Sequence, residues 1–340
     1  MRNNLLSRLS VRLLAGLMVF LLLPAAALCE GAAEVTEIEI LPTEAAAPKE
    51  PLLPLDFSPG SVPSEKNVTV STDENGNPVQ VYEDSTIRVV ISEDTWMKTG
   101  IWMADVTVAD ASQLRTVSQG NGDFSNKNAR GKALSLAKHM NAVVALNGDS
   151  WGASEKNGYG VVLRQGNLIA SRLDNNGKHL MDLLLIDANG DFHGVHAAAE
   201  GDLDDPTSVG GVPVVNIFSF GPILVENGEK ITDFQGTDRE SRAGGTWMNM
   251  RTDDFSQRVA LCQVGPLHYK VITCAGHRSG HRGLTLPEFT DYLVTQDVQF
   301  AYNLDGGEST MLYFFNTGKI NLKNTEMREL WDIIYFASAE

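Results

Sequence analysis

Two short stretches of this chain concentrate the residue types that do chemistry. One is Asp305-Gly306-Gly307-Glu308-Ser309-Thr310, which packs two carboxylates and two hydroxyls between the apolar run from Phe300 to Leu304 and the apolar run from Met311 to Phe315. The other is Asn147-Gly148-Asp149, directly after the apolar run 142–146. Carboxylates at such turns suit general acid–base or nucleophilic work. Paired glycines let a ligand approach the backbone and add N–H donors for an anion. Arg258 and Arg278 supply guanidinium forks that match phosphate or carboxylate in two-point contacts. Each residue also has a purely structural reading. Asp305 can close an Asx turn, Asn147 can cap its own turn, and Arg258 can form an ion pair with a neighbouring strand. His277 and His281 flank Arg278 in a glycine-rich stretch, and no single helix would align them as metal ligands. No nucleophile-elbow, P-loop or zinc signature is present. No cofactor or metal is therefore expected.

The elements that must position these residues read as strands, turns and two helices. Asn75-Gly76, Gln165-Gly166, Asn189-Gly190 and Asn227-Gly228 each sit between strand-like runs and predict hairpins. The 300–315 stretch reads as two buried strands joined by the Gly-Gly turn. One helical face over 128–140 is marked by Ala133, Leu136, Ala137 and Met140, and the run into 142–146 is a helix followed by a strand. Thr285-Leu286-Pro287-Glu288 joins an N-cap, an early proline and an acid three residues on, so a helix over 285–295 follows. Residues 232–257 are polar and irregular and read as a long loop or lid. The expected fold class is α/β in the α+β sense: one mixed, largely antiparallel sheet flanked by the two helices. Both polar turns are expected at one cleft. No repeat period is present, which excludes solenoids and propellers.

The N-terminus has a different character. Arg2, Arg8 and Arg12 precede the apolar run 13–28, and small residues lead to Cys29. That order predicts a secretory signal over 1–29, or an uncleaved anchor. Leu28 stands where a lipid-attachment site wants a small residue, which argues against a lipoprotein. Residues 30–66 are rich in Ala, Glu and Pro and read as a disordered spacer, with some of 52–57 folding back on the domain over 67–340. The expected location is secreted or cell-surface, with a membrane tether possible through the N-terminal segment. A formal net charge of −16 excludes nucleic acid as a natural partner. Cys262 and Cys274 flank a predicted hairpin, and either a disulfide or two buried thiols would fit there.

Taken in order, these motifs resemble the phosphodiester glycosidase family. The matching pieces are Ala145-Leu146-Asn147-Gly148-Asp149, Gly221-Pro222-Ile223-Leu224-Val225, Arg258-Val259-Ala260-Leu261, Gly276-His277-Arg278, Gly283-Leu284-Thr285-Leu286 and 303–310. Glu308 departs from the family's third glycine, Cys262 from a small residue, and His277 intrudes before Arg278. The resemblance implies hydrolysis of a sugar-1-phosphodiester, like that of an N-acetylglucosamine 1-phosphate diester, within a phosphorylated glycan. It implies Asp305 as nucleophile or base, with Asp149 or Glu308 as the second carboxylate. Asn147, Gly148, Arg258, Arg278, Gly306, Gly307, Ser309 and Thr310 would bind the substrate. A phosphomonoester leaving group, with a second pKa of about 6, needs little general-acid help. Two other readings stay open: a non-catalytic glycan-binding module disabled by Glu308, and a metal-dependent phosphodiesterase using Asp149, Asp305, Glu308 and His277.

Overall fold

The computed structural model describes residues 50–120, 129–149, 160–173, 181–198, 201–234, 252–277, 280–322 and 326–340. The expected signal segment, most of the expected spacer, most of the polar stretch 232–257 and Arg278 lie outside them. No helix among the described residues is long and apolar enough to cross a membrane.

Strands dominate, and they form three sheets rather than the single mixed sheet expected from the sequence. A nine-stranded sheet runs from the hairpin Val68–Thr72/Pro78–Glu83 through Ile87–Trp96, Thr99–Val108, His268–Cys274, Arg258–Gly265 and Phe300–Asn303 to Ile223–Glu226 and Glu229–Lys230. A six-stranded sheet centres on Met181–Asp187, Val212–Ser219 and Gly160–Arg164. A five-stranded sheet places Ala142–Asn147 between Leu312–Phe314 and Asp332–Ala337. Every described strand pair is antiparallel. Alternation and turn residues specify strands, but nothing in them specifies partners across long loops. This is why the sheet count was not legible.

The two buried strands expected over 300–315 are present, but they do not pair with each other. Phe300–Asn303 pairs with Arg258–Gly265 in the nine-stranded sheet, while Leu312–Phe314 pairs with Ala142–Asn147 in the five-stranded one. The Asp305 turn is therefore the place where the chain crosses between sheets.

The inner faces of all three sheets meet in one apolar core, with Val89 and Tyr302 from the first, Leu184 and Phe218 from the second, and Leu146 and Phe336 from the third. Helix α1 (Ala133–His139) buries Ala133, Leu136 and Ala137 against Ala145, Ile333 and Tyr335. Helix α2 (Leu286–Val294) packs Leu286, Phe289 and Leu293 against Ala260 and Ile272. Its capping box is formed: the Thr285 hydroxyl accepts from Glu288 N–H, and the Glu288 carboxylate accepts from Thr285 N–H. Helix α1 has no side-chain cap, and it is shorter than its apolar pattern suggested.

Residues 52–58 lie along the domain. The buried Arg115 guanidinium donates to the carbonyls of Pro54 at 2.9 Å, Asp56 at 2.9 Å and Ser58 at 3.3 Å. Leu53 and Phe57 pack on the cluster under α1. Cys262 and Cys274 are free and buried. Register explains why: Cys262 faces Lys270 and Cys274 faces Arg258, so the two thiols are four positions out of step.

Candidate active site

Antiparallel pairing of Leu312 with Leu146 brings the two polar turns to the same end of the five-stranded sheet. Asn147, 1% exposed, is the clamp between them. Its Nδ2 donates to Asp305 O at 2.8 Å and its Oδ1 accepts from Met311 N–H at 3.0 Å. Both ends of the Asp305 turn are thus held by one amide.

The glycines of that turn have distinct reasons. A Cβ on Gly306 would lie 2.5 Å from the Gln257 carbonyl oxygen. Gly307 takes φ +61° and donates its N–H to the same carbonyl at 3.1 Å. Gly306→Ala is expected to shift the turn and cost about 1–3 kcal/mol, read as a lowered midpoint in urea unfolding. Gly148 is pinned likewise, since its Cβ would fall 2.1 Å from Asp332 Oδ1.

Asp305 itself is 18% exposed. Ser309 Oγ donates to its Oδ2 at 2.6 Å, and Arg328 Nη2 stands 3.6 Å from the same oxygen. Burial raises the Asp305 pKa and repulsion from Asp149 adds to it. Arg328, the Ser309 hydroxyl and Arg130 pull the other way without cancelling the rise. A carboxylate held above its ordinary range in a cleft is a functional candidate on physical grounds.

Behind Asp305 lies a buried charge cluster that the sequence did not reveal. Arg164, fully buried at the end of Gly160–Arg164, meets Asp149 Oδ1 at 2.9 Å through Nη2 and Asp332 Oδ2 at 3.0 Å through Nε. Its Nη1 donates to the carbonyl of Ile217, and the guanidinium stacks over Phe218 at 4.2 Å. Asp149 Oδ2 accepts from Ser219 N–H at 3.0 Å. Burial opposes the Arg164 cation, but the two carboxylates more than offset it and its pKa is raised. For Asp332, burial dominates and raises the pKa; Asp149 adds to the rise, and Arg164 opposes it. One cation faces two acids, so the cluster favours retaining a proton. The only sequence signal was a charge ending the apolar run Val161-Val162-Leu163.

Asp305 forms part of the wall of two hollows. The wider one, a cavity of about 220 Å³, is lined by Phe220, Phe255, Arg258, His277 and Asn303. That size falls short of the ~300–1,000 Å³ of pockets that bury a drug-sized ligand. Asn303 Nδ2 donates to Gly221 O at 2.7 Å, while its buried Oδ1 has no hydrogen-bond partner among the described residues. The narrower hollow is lined by Gly148, Asp149, Ser309, Arg130, Arg328 and Asp332.

The structure therefore brings Asn147, Gly148, Asp149, Asp305, Gly306, Gly307 and Ser309 together. Arg258 reaches the wider hollow but is only 6% exposed; it donates to Leu284 O at 3.3 Å and to Asp254 O at 2.7 Å. Thr310 is buried under the turn, and its carbonyl accepts from Asn321 Nδ2 at 3.2 Å. Glu308 is exposed and lines neither hollow. Its carbonyl accepts from Arg328 N–H at 3.2 Å. Arg278 lies outside the described residues. Among the described residues no group of three or more His, Cys, Asp or Glu side chains is placed to hold a metal. Sequence reasoning missed Arg164, Asp332, Arg130, Arg328 and Asn303.

Comparison with known proteins agrees with this architecture. Residues 140–337 match the model of the phosphodiester glycosidase family, NAGPA. The zebrafish N-acetylglucosamine-1-phosphodiester alpha-N-acetylglucosaminidase catalytic domain, auto-inhibited by its pro-peptide, is 17% identical, with a TM-score of 0.52 over 82% of this chain and 87% of that one. A hypothetical protein from Synechocystis is 14% identical, with a TM-score of 0.49 over 79% of this chain and 67% of that one. No curated protein matches the sequence. The family match spans more than half of the chain and contains both polar turns, the Arg258 strand and helix α2: this chain belongs to the phosphodiester glycosidase family.

Proposed function

We propose that this protein is an exported hydrolase that cleaves a sugar-1-phosphodiester bond in a surface or environmental glycan. The observation that carries the reading is Asp305, a carboxylate of raised pKa on the wall shared by two hollows of unlike chemistry. The wider hollow offers two aromatic rings and the Asn303 carbonyl oxygen, which suit the C–H face and the N–H or O–H donors of a sugar. The N-acetyl hexose of the zebrafish enzyme's substrate is the model for this ligand. Export is supported by the basic-then-apolar N-terminus.

Asp305 then supplies the carboxylate at the anomeric carbon, aligned by Ser309. Burial holds the Asp305 pKa high, and Asp149, which sits in the Arg164 pair, adds to that rise by repulsion. The turn glycines and the Asn147 clamp let the sugar approach the backbone. The departing phosphomonoester, with a second pKa of about 6, leaves without a strong acid. Glu308 is exposed and lines neither hollow, so Glu308→Gly is expected to lower kcat by less than about tenfold, below the ~10²–10⁴ that a general acid or base contributes.

The test is hydrolysis of the methyl phosphodiester of N-acetylglucosamine 1-phosphate, followed by release of reducing sugar. Because Asp305 must be ionised and its pKa is raised, kcat/KM is expected to climb as pH rises through a value above the ordinary carboxylate range. A chain that folds but releases no sugar from this ester or from other sugar phosphodiesters would overturn the proposal.

A further inference from the structure

Two arginines outside every family motif converge on Asp305. Arg130 precedes α1 and Arg328 precedes Asp332–Ala337. An antiparallel bridge joins their segments: Gly131 N–H donates to Leu330 O, and Leu330 N–H donates to Gly131 O, both at 3.0 Å. A third tie, from Arg328 N–H to Glu308 O at 3.2 Å, fastens the same segment to the Asp305 turn. Gly131 packs against the end of the Gln119 side chain. The backbone is thus built to hold both side chains at the lip of the narrow hollow, where both are exposed.

Their setting differs from that of Arg258. That guanidinium is buried and gives Nε and Nη2 to backbone carbonyls. Arg328 is 42% exposed and meets Asp305 at 3.6 Å, an ion-pair distance longer than a hydrogen bond. The two arginines are the cations of a lining that also carries Asp149, Asp305, Glu329 and Asp332, and Arg164 already pairs Asp149 and Asp332 from behind.

We infer that Arg130 and Arg328 form the subsite for the phosphoryl group, on the narrow side of Asp305 and opposite the sugar hollow. This inference rests on the reading of the site as a phosphodiester glycosidase centre, and it names the side on which the anion binds and leaves. In the reaction the bond from C1 to the phosphoryl-bearing oxygen breaks, and its electron pair departs with that oxygen. Water supplies the new oxygen on C1, and its second proton is released. The phosphoryl group goes from one negative charge toward two near neutral pH. Cations at that position bind the developing charge more strongly than the ground state, so they lower the barrier as well as KM.

The experiment uses the exported chain with Arg130→Gln, Arg328→Gln and both together. Inorganic phosphate is titrated by calorimetry, and kcat/KM is measured on the methyl phosphodiester. Each single change is expected to weaken phosphate binding about tenfold and the pair about a hundredfold, in line with charge-assisted hydrogen bonds. The pair is expected to lower kcat/KM by about a hundredfold or more, with kcat falling as well as KM rising. Arg328→Gln also removes a cation that favours ionised Asp305, so the acid limb of kcat/KM moves to higher pH. An unaltered thermal midpoint shows that folding is intact. Unchanged phosphate affinity in the double variant overturns the inference, as does a parent chain that binds no phosphate. Phosphate binding that depends on these arginines, in a chain that hydrolyses no sugar phosphodiester, supports the subsite and overturns only the proposed activity.

Discussion

Asp305→Asn is expected to fold like the parent and to lose about 10³-fold or more in kcat on a sugar phosphodiester. The substitution keeps the shape of the side chain and the Ser309 contact at Oδ2, so the turn has no reason to move. It removes the charge that must stabilise or attack the anomeric carbon. The raised pKa of Asp305 makes the expectation sharper, because relief of a buried, repelled charge stabilises the fold. Loss of turnover should therefore come with an equal or higher unfolding midpoint. A folded Asp305→Asn chain with parental kcat would remove Asp305 from the reaction.

Arg164→Leu is expected to destabilise the protein by about 3–5 kcal/mol, enough to unfold many domains of ordinary stability. The loss is not that of a surface ion pair. Asp149 and Asp332 would remain buried without their shared cation, and the Ile217 carbonyl would lose its donor. Asp332→Asn separates the charge effect from the packing effect, since the amide oxygen can still accept from Arg164 Nε. Its pH dependence has a definite sign. Asp332 has a raised pKa in the folded chain, so that chain holds a proton which the unfolded chain has already released. Stability therefore falls as pH rises from the ordinary carboxylate value to the raised one, by up to about 1.4 kcal/mol per pH unit for one proton. Asp332→Asn should flatten that slope, measured as the urea midpoint against pH. An unchanged slope would mean that the cluster's proton resides elsewhere.

What was legible in the sequence is what local pattern encodes. Asn-Gly dipeptides marked the hairpins at 75–76 and 227–228, and Thr285-Leu286-Pro287-Glu288 marked α2, because those devices act within four residues. The turns containing Asn147 and Asp305 stood out because polar residues between apolar runs are costly unless they meet partners. Strand partnership was hidden. Arg164 and Asp332 are 168 residues apart, and no periodicity links them. Arg130 and Arg328 lie in short irregular segments whose meeting depends on a single bridge. Arg258 was legible as a candidate, but its burial was not, because an arginine opening an apolar strand reads alike whether it faces a ligand or a backbone carbonyl.

The peptide that passes from one sheet to another at residues 304–311 makes function a late event in folding. Neither the strand before Asp305 nor the strand after it can fix that carboxylate alone, because its Asn147 clamp arrives on the strand Ala142–Asn147 and its Arg328 neighbour on the irregular segment before Asp332–Ala337. Enzymatic activity should therefore return in refolding only with the final docking of the layers, in step with the near-ultraviolet signal of packed aromatics rather than with the earlier far-ultraviolet signal.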